Sequence, residues 1–189
     1  MGCSPNGQVR VNQYALVSYI QDPLGSFLDR LRLRLAPACR PHAHVTILPP
    51  RPLCAPEECA EADIREISAR VQAFEVKLGS VKLFEATEVI YIELGGGARE
   101  LRRMHDLLNT GAVHYDEPHD FHPHITLAQN LPHEHVAETL EMARQFWSEW
   151  EGNVVFPLEE LSFVQNTEQN VWVDLTHFRL AHEPAEIVR

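Results

Sequence analysis

His44-Val45-Thr46-Ile47 is a short stretch that returns later in the chain as His124-Ile125-Thr126-Leu127. Both copies have the order histidine, apolar, threonine, apolar, which is the alternation of a half-buried β-strand. Successive side chains of a strand point to opposite faces, so the histidine and the threonine of each copy share one face. Each copy is therefore predicted to bury its apolar face in a core and to present an imidazole beside a hydroxyl.

The overall composition is that of an ordinary globular protein. The chain has 189 residues, of which 44% are hydrophobic and 23% charged, and its formal net charge is -11. This size fits a single domain, residues 1–189, that needs no disulfide or metal to hold its core. The negative charge argues against binding of long nucleic acid, because phosphate-neutralising surfaces need clustered Lys and Arg. A small phosphorylated substrate or one RNA end is compatible with it.

The sequence offers no sign of export or of a disulfide framework. Cys3, Cys39, Cys54 and Cys59 form no CxxC pair and have no metal-finger spacing. Residues 1–12 lack the apolar segment of a signal peptide and are interpreted as a flexible tail, and no apolar run is long enough to span a bilayer. We therefore expect a cytoplasmic protein away from membranes, and nothing in the sequence distinguishes a monomer from a dimer.

Strand and helix patterns alternate in an order that repeats. Each half is predicted to contain a strand, a helix, the His-x-Thr strand, a second helix and a further strand. The expected ranges are 14–20, 27–35, 44–47, 56–71 and 74–84 with a break at Gly79, then 88–94, 101–108, 124–127, 132–150, one strand within 154–164 and another at 171–175. The repeat favours an internal duplication with two lobes that bring the motifs face to face, and a chance agreement of element order is the alternative.

Local signals refine these ranges. Three prolines, Pro49, Pro50 and Pro52, are predicted to end the first His-x-Thr strand. Gly95-Gly96-Gly97 is interpreted as a turn into the next helix, because no phosphate-loop lysine accompanies it. In the first helix, Arg30, Arg32 and Arg34 stand between the apolar positions that recur at helical spacing.

The chemistry of the paired motif is general acid and base catalysis. Histidine changes charge near neutral pH, so one ring can accept a proton while a facing ring donates one. The hydroxyls of Thr46 and Thr126 can each donate a hydrogen bond to a non-bridging phosphate oxygen. This combination predicts cleavage of a phosphoester without a metal.

The segments Pro41-His42-Ala43-His44-Val45-Thr46-Ile47 and Phe121-His122-Pro123-His124-Ile125-Thr126-Leu127 resemble the paired signatures of the two-histidine (2H) phosphoesterases. The second segment is especially similar to that of bacterial RNA 2′,3′-cyclic phosphodiesterases, also called 2′-5′ RNA ligases. The resemblance implies an α+β fold of two duplicated lobes, in which two antiparallel β-sheets line a central cleft and the helices lie outside.

The resemblance also implies an activity and the residues that perform it. The implied reaction opens a 2′,3′-cyclic phosphate to a 2′-phosphate, or acts on a 2′-5′ phosphodiester, with ligation as its reverse. His44 and His124 match the catalytic histidines of the family, and Thr46 and Thr126 match its phosphate-binding hydroxyls. The expected substrate is a small nucleotide or an RNA end.

Four more residues are candidate substrate contacts. Members of the family often have an arginine three residues after the second threonine, where this chain has Gln129, whose amide can donate but cannot replace a guanidinium on phosphate. Arg51, close after the first motif, is a candidate phosphate contact, as is Arg40 before it, with a solvated surface position as the alternative. Phe121 is a candidate for stacking on a nucleobase, with a place in the core as the alternative.

Two alternatives to this interpretation stay open. The eleven histidines include His42-x-His44 and His133-x-His135, which look like ligand pairs, but neither motif has a carboxylate or cysteine at a matching interval. We therefore predict no metal and no other cofactor. The second alternative is a nucleotide-binding module with residual or no catalysis, against which the two intact His-Thr pairs argue.

Overall fold

Eight strands and four helices follow one another along residues 9–37 and 42–182, the part of the chain that the computed structural model describes. The strands are β1 (Arg10–Tyr19), β2 (His44–Arg51), β3 (Phe74–Phe84), β4 (Val89–Gly96), β5 (His124–Ala128), β6 (Val155–Leu158), β7 (Glu160–Thr167) and β8 (Trp172–Arg179). The helices are α1 (Leu24–Leu35), α2 (Glu57–Ser68), α3 (Ala98–Leu108) and α4 (His133–Ser148).

The strands form two four-stranded sheets, in the orders β2-β1-β7-β8 and β5-β4-β3-β6. Every pair of neighbouring strands within them is antiparallel. The predicted α+β class with two antiparallel sheets is thus confirmed. Each sheet has one His-x-Thr strand at its edge, β2 in the first and β5 in the second.

The repeated element order is consistent with the predicted duplication, but the two halves exchange strands. β1-α1-β2-α2 provides one His-x-Thr strand and its neighbour, and β4-α3-β5-α4 provides the other. Later strands pair across the two sets: β3 follows α2 and pairs with β4, and β7, which comes after β6, pairs with β1. The first sheet thus contains β7 and β8 from the second half of the chain, and the second sheet contains β3 from the first half, which ties the two lobes together.

β2 is longer than the sequence predicts. Pro49 and Pro50 were expected to end it, yet it continues to Arg51, which pairs with Tyr14 of β1. The reason is its place at the edge of the sheet, because a proline on an edge strand need not interrupt a hydrogen-bonded ladder on both sides.

The predicted break at Gly79 is also wrong, because β3 is continuous from Phe74 to Phe84. The pairing of β3 with β4 shifts register between Leu78 and Val81, which marks an irregularity around the glycine. A side chain at Gly79 would be crowded, since its Cβ would lie 2.9 Å from Cγ of Glu93. Glycine therefore serves a close approach inside the strand and not a turn between two strands.

Three other predicted boundaries move. Gly95 and Gly96 lie in β4, and only Gly97, with φ of 78°, forms the turn into α3. The range 154–164 holds most of two strands, β6 and β7, and not one. Of the segment interpreted as a tail, residues 10–12 belong to β1, whereas residues 1–8 lie outside the described residues, as do Cys3, Cys39 and Arg40.

The apolar faces of the two His-x-Thr strands meet in the core. Val45 and Ile47 of β2 and Ile125 and Leu127 of β5 all have 0% exposure and belong to one cluster that spans both sheets. This burial fixes which way the opposite face of each strand points. Within the described ranges, no helix is long and apolar enough to cross a membrane.

Candidate active site

His44 and Thr46 on β2 occupy the same positions as His124 and Thr126 on β5. In both copies the histidine and the threonine are partly exposed, and the apolar residues between and after them are buried. The two strands are edge strands of different sheets and lie in contact with each other. The structure therefore brings the two sequence motifs together on one surface between the lobes.

Both imidazoles are held by the same kind of hydrogen bond. Nδ1 of His44 lies 2.8 Å from the carbonyl oxygen of His42, and Nδ1 of His124 lies 2.6 Å from that of His122. A carbonyl oxygen only accepts, so Nδ1 carries the proton in both rings and the neutral ring has its lone pair on Nε2. Both Nε2 atoms are thus prepared to exchange a proton with a ligand.

The residues two positions before each histidine therefore contribute their backbone. His42 and His122 are themselves exposed, and their carbonyl groups, not their rings, orient the histidines that follow. Among residues 9–37 and 42–182, no three His, Cys, Asp or Glu side chains are arranged to hold a metal ion.

Burial disfavours the protonated form of both rings. It lowers the pKa of His44 to about 4, against the opposing effect of the hydrogen bond to His42. It also lowers the pKa of His124, again against the hydrogen bond to its carbonyl partner. Both rings are therefore largely neutral at neutral pH in the free protein, and the negative charge of a bound phosphate would favour protonation.

Aromatic side chains form the walls around the two rings. The edge of Tyr19 faces His44 with ring centroids 6.2 Å apart, and Phe84 and Tyr91 approach His124 at 5.1 and 5.3 Å. Such packing removes water from the imidazoles and restricts their rotation. Tyr19 in turn donates a hydrogen bond of 2.6 Å to Asp174, and burial together with Asp174 raises the pKa of Tyr19.

The strand pairing explains why these aromatic residues lie at the site. Tyr19 pairs with His44, and Tyr91 pairs with Thr126, and residues paired across an antiparallel ladder share a face. Tyr19 lies in the strand predicted at 14–20, but its place at the site was not predicted. The alternation within that strand could have indicated it only with the partner strand and the register known.

Arg51 is not in the cleft, and its interpretation as a phosphate contact is wrong. It lies seven residues along β2 from His44, about 23 Å away at the usual rise of a strand. Its side chain is only 2% exposed, so the surface alternative is wrong as well. The guanidinium donates to the carbonyl groups of Pro49 and Val113, to Asn109, and to Glu117 in an ion pair.

Phe121 and Gln129 lie on either side of β5. The ring of Phe121 stacks on His105 with centroids 4.2 Å apart and an interplanar angle of 5°, so one of its faces is already covered. Nε2 of His105 is 2.9 Å from Glu117, the partner of Arg51. Gln129 is exposed directly after the last residue of β5 and stays a candidate contact.

Two residues of α1 support the first motif and were not foreseen. Oδ1 of Asp29 accepts a hydrogen bond of 2.6 Å from the backbone N–H of Ala43, and Nη1 of Arg32 donates one of 3.0 Å to the carbonyl of His42. Arg32 is only 9% exposed. It stands four residues after Leu28 and therefore on the buried face of the helix, which is the signal that could have placed it.

Two curated proteins with phosphoesterase or phosphodiesterase names are similar to part of this chain. The RNA 2′,3′-cyclic phosphodiesterase of Aeropyrum pernix is 36% identical over 84 residues, which cover 39% of this chain and 48% of that protein. A protein of Oceanobacillus iheyensis with a phosphoesterase name is 30% identical over 79 residues, 41% of this chain and 46% of its own length. The chain thus aligns with about half the length of these curated relatives.

The fold is similar to that of a protein of known crystal structure. The crystal structure of E. coli LigT complexed with phosphate superposes with a TM-score of 0.61 at 14% identity, covering 91% of this chain and 99% of LigT. LigT is also known complexed with 3′-AMP. The profile of the 2′-5′ RNA ligase superfamily matches residues 20–170. This match extends over most of the chain and includes both motifs, and the chain therefore belongs to the 2′-5′ RNA ligase superfamily.

Proposed function

We propose that this protein is a metal-independent cyclic phosphodiesterase that hydrolyses a 2′,3′-cyclic phosphate to a 2′-phosphate. His44 and His124 act as the acid and the base, and Thr46 and Thr126 hold the phosphate. The observation that carries the proposal is the matched pair of imidazoles. Each is oriented by a carbonyl bond at Nδ1, which leaves each Nε2 for proton transfer on two strands in contact.

The chemistry needs no other group. Nε2 of one histidine takes a proton from water as the water oxygen attacks phosphorus, and Nε2 of the other gives a proton to the departing 3′ oxygen. The threonine hydroxyls donate to the non-bridging oxygens, where they hold the phosphorus between the two rings. The same residues can cleave a 2′-5′ phosphodiester by transesterification, in which the 3′ hydroxyl loses its proton to one histidine and attacks phosphorus, and the departing 5′ oxygen takes a proton from the other. Ligation is the reverse of that transesterification.

A small nucleotide or an RNA end is the substrate class that the charges favour. Glu93 is the partner of His124 on the neighbouring strand, and its carboxylate lies 3.8 Å from the ammonium group of Lys82. The positive charge of Lys82 near the second motif is therefore already paired with a carboxylate. With a net charge of -11, the chain has little to attract a long polyanion. Support for one bound phosphate comes from LigT, which binds phosphate and 3′-AMP. We expect the protein to act in the cytoplasm.

The test is incubation of the protein with 2′,3′-cyclic mononucleotides, 2′-5′ dinucleotides and a short RNA that ends in a cyclic phosphate. EDTA is present throughout, and the position of the product phosphate is assigned by phosphorus NMR. The double variant His44→Ala and His124→Ala, purified in parallel, controls for contaminating nucleases. We expect a 2′-phosphate product from the wild type alone, and loss of activity in EDTA would contradict the metal-free reaction.

One observation favours the alternative of a nucleotide-binding module. Gln129 is exposed and uncharged at the place where members of the family often carry an arginine, so the grip on a substrate phosphate is weaker than a guanidinium would give. A binder needs no pair of proton-transfer groups, which is why we prefer the enzyme. In the same panel, tight nucleotide binding with no product from any substrate would establish the alternative.

A further inference from the structure

In both motifs a backbone carbonyl group accepts a hydrogen bond from the motif histidine, but the two carbonyl groups differ in their other hydrogen-bond donors. The carbonyl of His42 accepts from Nδ1 of His44 at 2.8 Å and also from the guanidinium of Arg32 at 3.0 Å. The carbonyl of His122 accepts from Nδ1 of His124, and no second side-chain donor within the described residues reaches it. The same orienting bond is therefore made next to a cation in the first motif only.

A second contact of α1 strengthens this difference. Asp29 accepts a hydrogen bond of 2.6 Å from the backbone N–H of Ala43, the residue between His42 and His44. The equivalent residue of the second motif is Pro123, which has no N–H to donate. The position of Asp29 is fixed by its helix, because the neighbouring residue Leu28 is fully buried in the core.

Arg32 affects the protonation of His44 in two ways. Its guanidinium is little screened by water, because the residue is only 9% exposed, and its charge disfavours a positive charge on the His44 ring. Its hydrogen bond also uses part of the acceptor capacity of the carbonyl that would otherwise stabilise the protonated ring. Asp29 opposes this effect. Burial is the largest cause of the low pKa of His44, and among the neighbouring charges Arg32, which lowers it, outweighs Asp29, which raises it.

The other groups that face His44 do not reverse this balance. Across the cleft, a positive charge on His124 lowers the pKa of His44 further. From β1, Tyr19 presents a neutral ring whose hydroxyl donates to Asp174 of β8. Around His124, a positive charge on the His122 ring lowers the pKa, and the acidic residue Glu93 is the partner of His124 on the neighbouring strand.

We propose that Arg32 is a positioning residue that keeps His44 unprotonated, while Asp29 holds the backbone next to His44 at Ala43, so that His44 is the base and His124 the acid. This assignment rests on the proposed function. A bond forms between the water oxygen and phosphorus, and the water proton moves to Nε2 of His44. The bond from phosphorus to the 3′ oxygen breaks, and that oxygen takes the proton from Nε2 of His124. Exchange with solvent then restores both rings.

The first arm of the test is an NMR titration of the imidazoles in the free protein, without substrate. Arg32→Met should raise the pKa of His44 by about one unit or more, because a nearby charge is removed. Asp29→Asn keeps the contact to Ala43 and should lower it further. His124 should move much less in both variants. Arg30→Met, the same change at an exposed position of the same helix, is the matched control and should move neither histidine.

This arm is decisive whether or not the protein has the proposed activity. An unchanged pKa of His44 in Arg32→Met, or equal shifts of both histidines, would overturn the role of Arg32. If Arg32→Met does not fold, Arg32→Lys and Asp29→Asn provide the test. Arg32→Lys keeps the charge and should leave His44 near its wild-type value, whereas Asp29→Asn must still move His44 downwards for the proposal to stand.

The second arm assigns acid and base with a 2′,3′-cyclic phosphate that has sulfur in place of the 3′ bridging oxygen. A thiolate leaves without a proton, so the loss caused by His124→Ala should shrink at least about tenfold on this substrate, whereas the loss caused by His44→Ala should stay. Rescue of His44→Ala, or of neither variant, would contradict the assignment. If the wild type fails to hydrolyse the ordinary oxygen substrate, the proposed function fails and the titration result still holds.

Discussion

At His44 and His124, two rings make the same hydrogen bond and differ in their charged surroundings. The alternation of each motif predicted the shared face of histidine and threonine, because this property is local to the strand. The carbonyl bonds could not be predicted, since they depend on the backbone before each strand, where His42 has φ of 81°. The burial of Arg32 was not predicted, although its spacing of four residues from Leu28 places it on the buried face of α1.

The pKa values of the two histidines predict an acidic pH optimum. The base must be unprotonated, so kcat/KM falls at low pH as His44 takes a proton, with a midpoint near 4. The acid must be protonated, so kcat/KM falls at higher pH as His124 loses its proton, with a midpoint below the ordinary value of 6.5. A bell-shaped profile of kcat/KM with its maximum below pH 6.5 is expected. A maximum above pH 7.5 would contradict these surroundings.

Each motif threonine should matter to catalysis and little to stability. Thr46→Val and Thr126→Val keep the shape of the side chain and remove the hydroxyl, so kcat/KM should fall about 100-fold in each. Both residues are partly exposed, and the free energy of unfolding should change by less than about 1 kcal/mol. Thr87→Val, in an exposed turn, is the matched control. Wild-type kinetics in both motif variants would show that the two threonine hydroxyls do not bind the substrate phosphate.

At the scale of elements, the sequence predicted which segments are strands and helices better than it predicted their ends. The continuity of β3 through Gly79 and of β2 through two prolines depends on partner strands and edge positions, which no local pattern contains. Arg51 illustrates the consequence. Because β2 extends as far as Arg51, this residue lies outside the cleft, in a buried network with the loop that precedes β5.

The ion pair of Arg51 with Glu117 should hold that loop. The two side chains are 2% and 13% exposed, so Glu117→Gln leaves a buried charge without its partner. We expect a loss of about 3 kcal/mol in the free energy of unfolding, measured by urea denaturation. Glu66→Gln breaks an exposed pair with Arg70 and should cost less than about 1 kcal/mol. Equal effects of the two substitutions would show that the buried pair is not what holds the loop.

At the scale of the whole molecule, the duplicated order was predictable and the exchange of strands was not. The repeat is visible in the sequence because each element has its own periodicity. The pairing of β3 with β4 and of β7 with β1 joins distant parts of the chain, and single-element patterns do not identify partners.

The exchanged strands predict that the two lobes unfold together. Trp172 lies in β8 of the first sheet, whereas Trp147 and Trp150 lie in and after α4, which packs on β3 of the second. One variant keeps only Trp172 and another keeps only the other two, with phenylalanine elsewhere. In each variant the urea midpoint from fluorescence should coincide with that from circular dichroism. Separate midpoints would mean that the lobes are independent.

The central claim is that two histidines on facing strands divide one proton-transfer task. The most direct measurement is the single-turnover rate of hydrolysis of a 2′,3′-cyclic phosphate in EDTA by the wild type, His44→Ala, His124→Ala and the double variant. Each single substitution should lower the rate at least about 100-fold, and the double variant should be little worse than the slower single one, because the residues act as a unit. Full activity in both single variants would contradict the account.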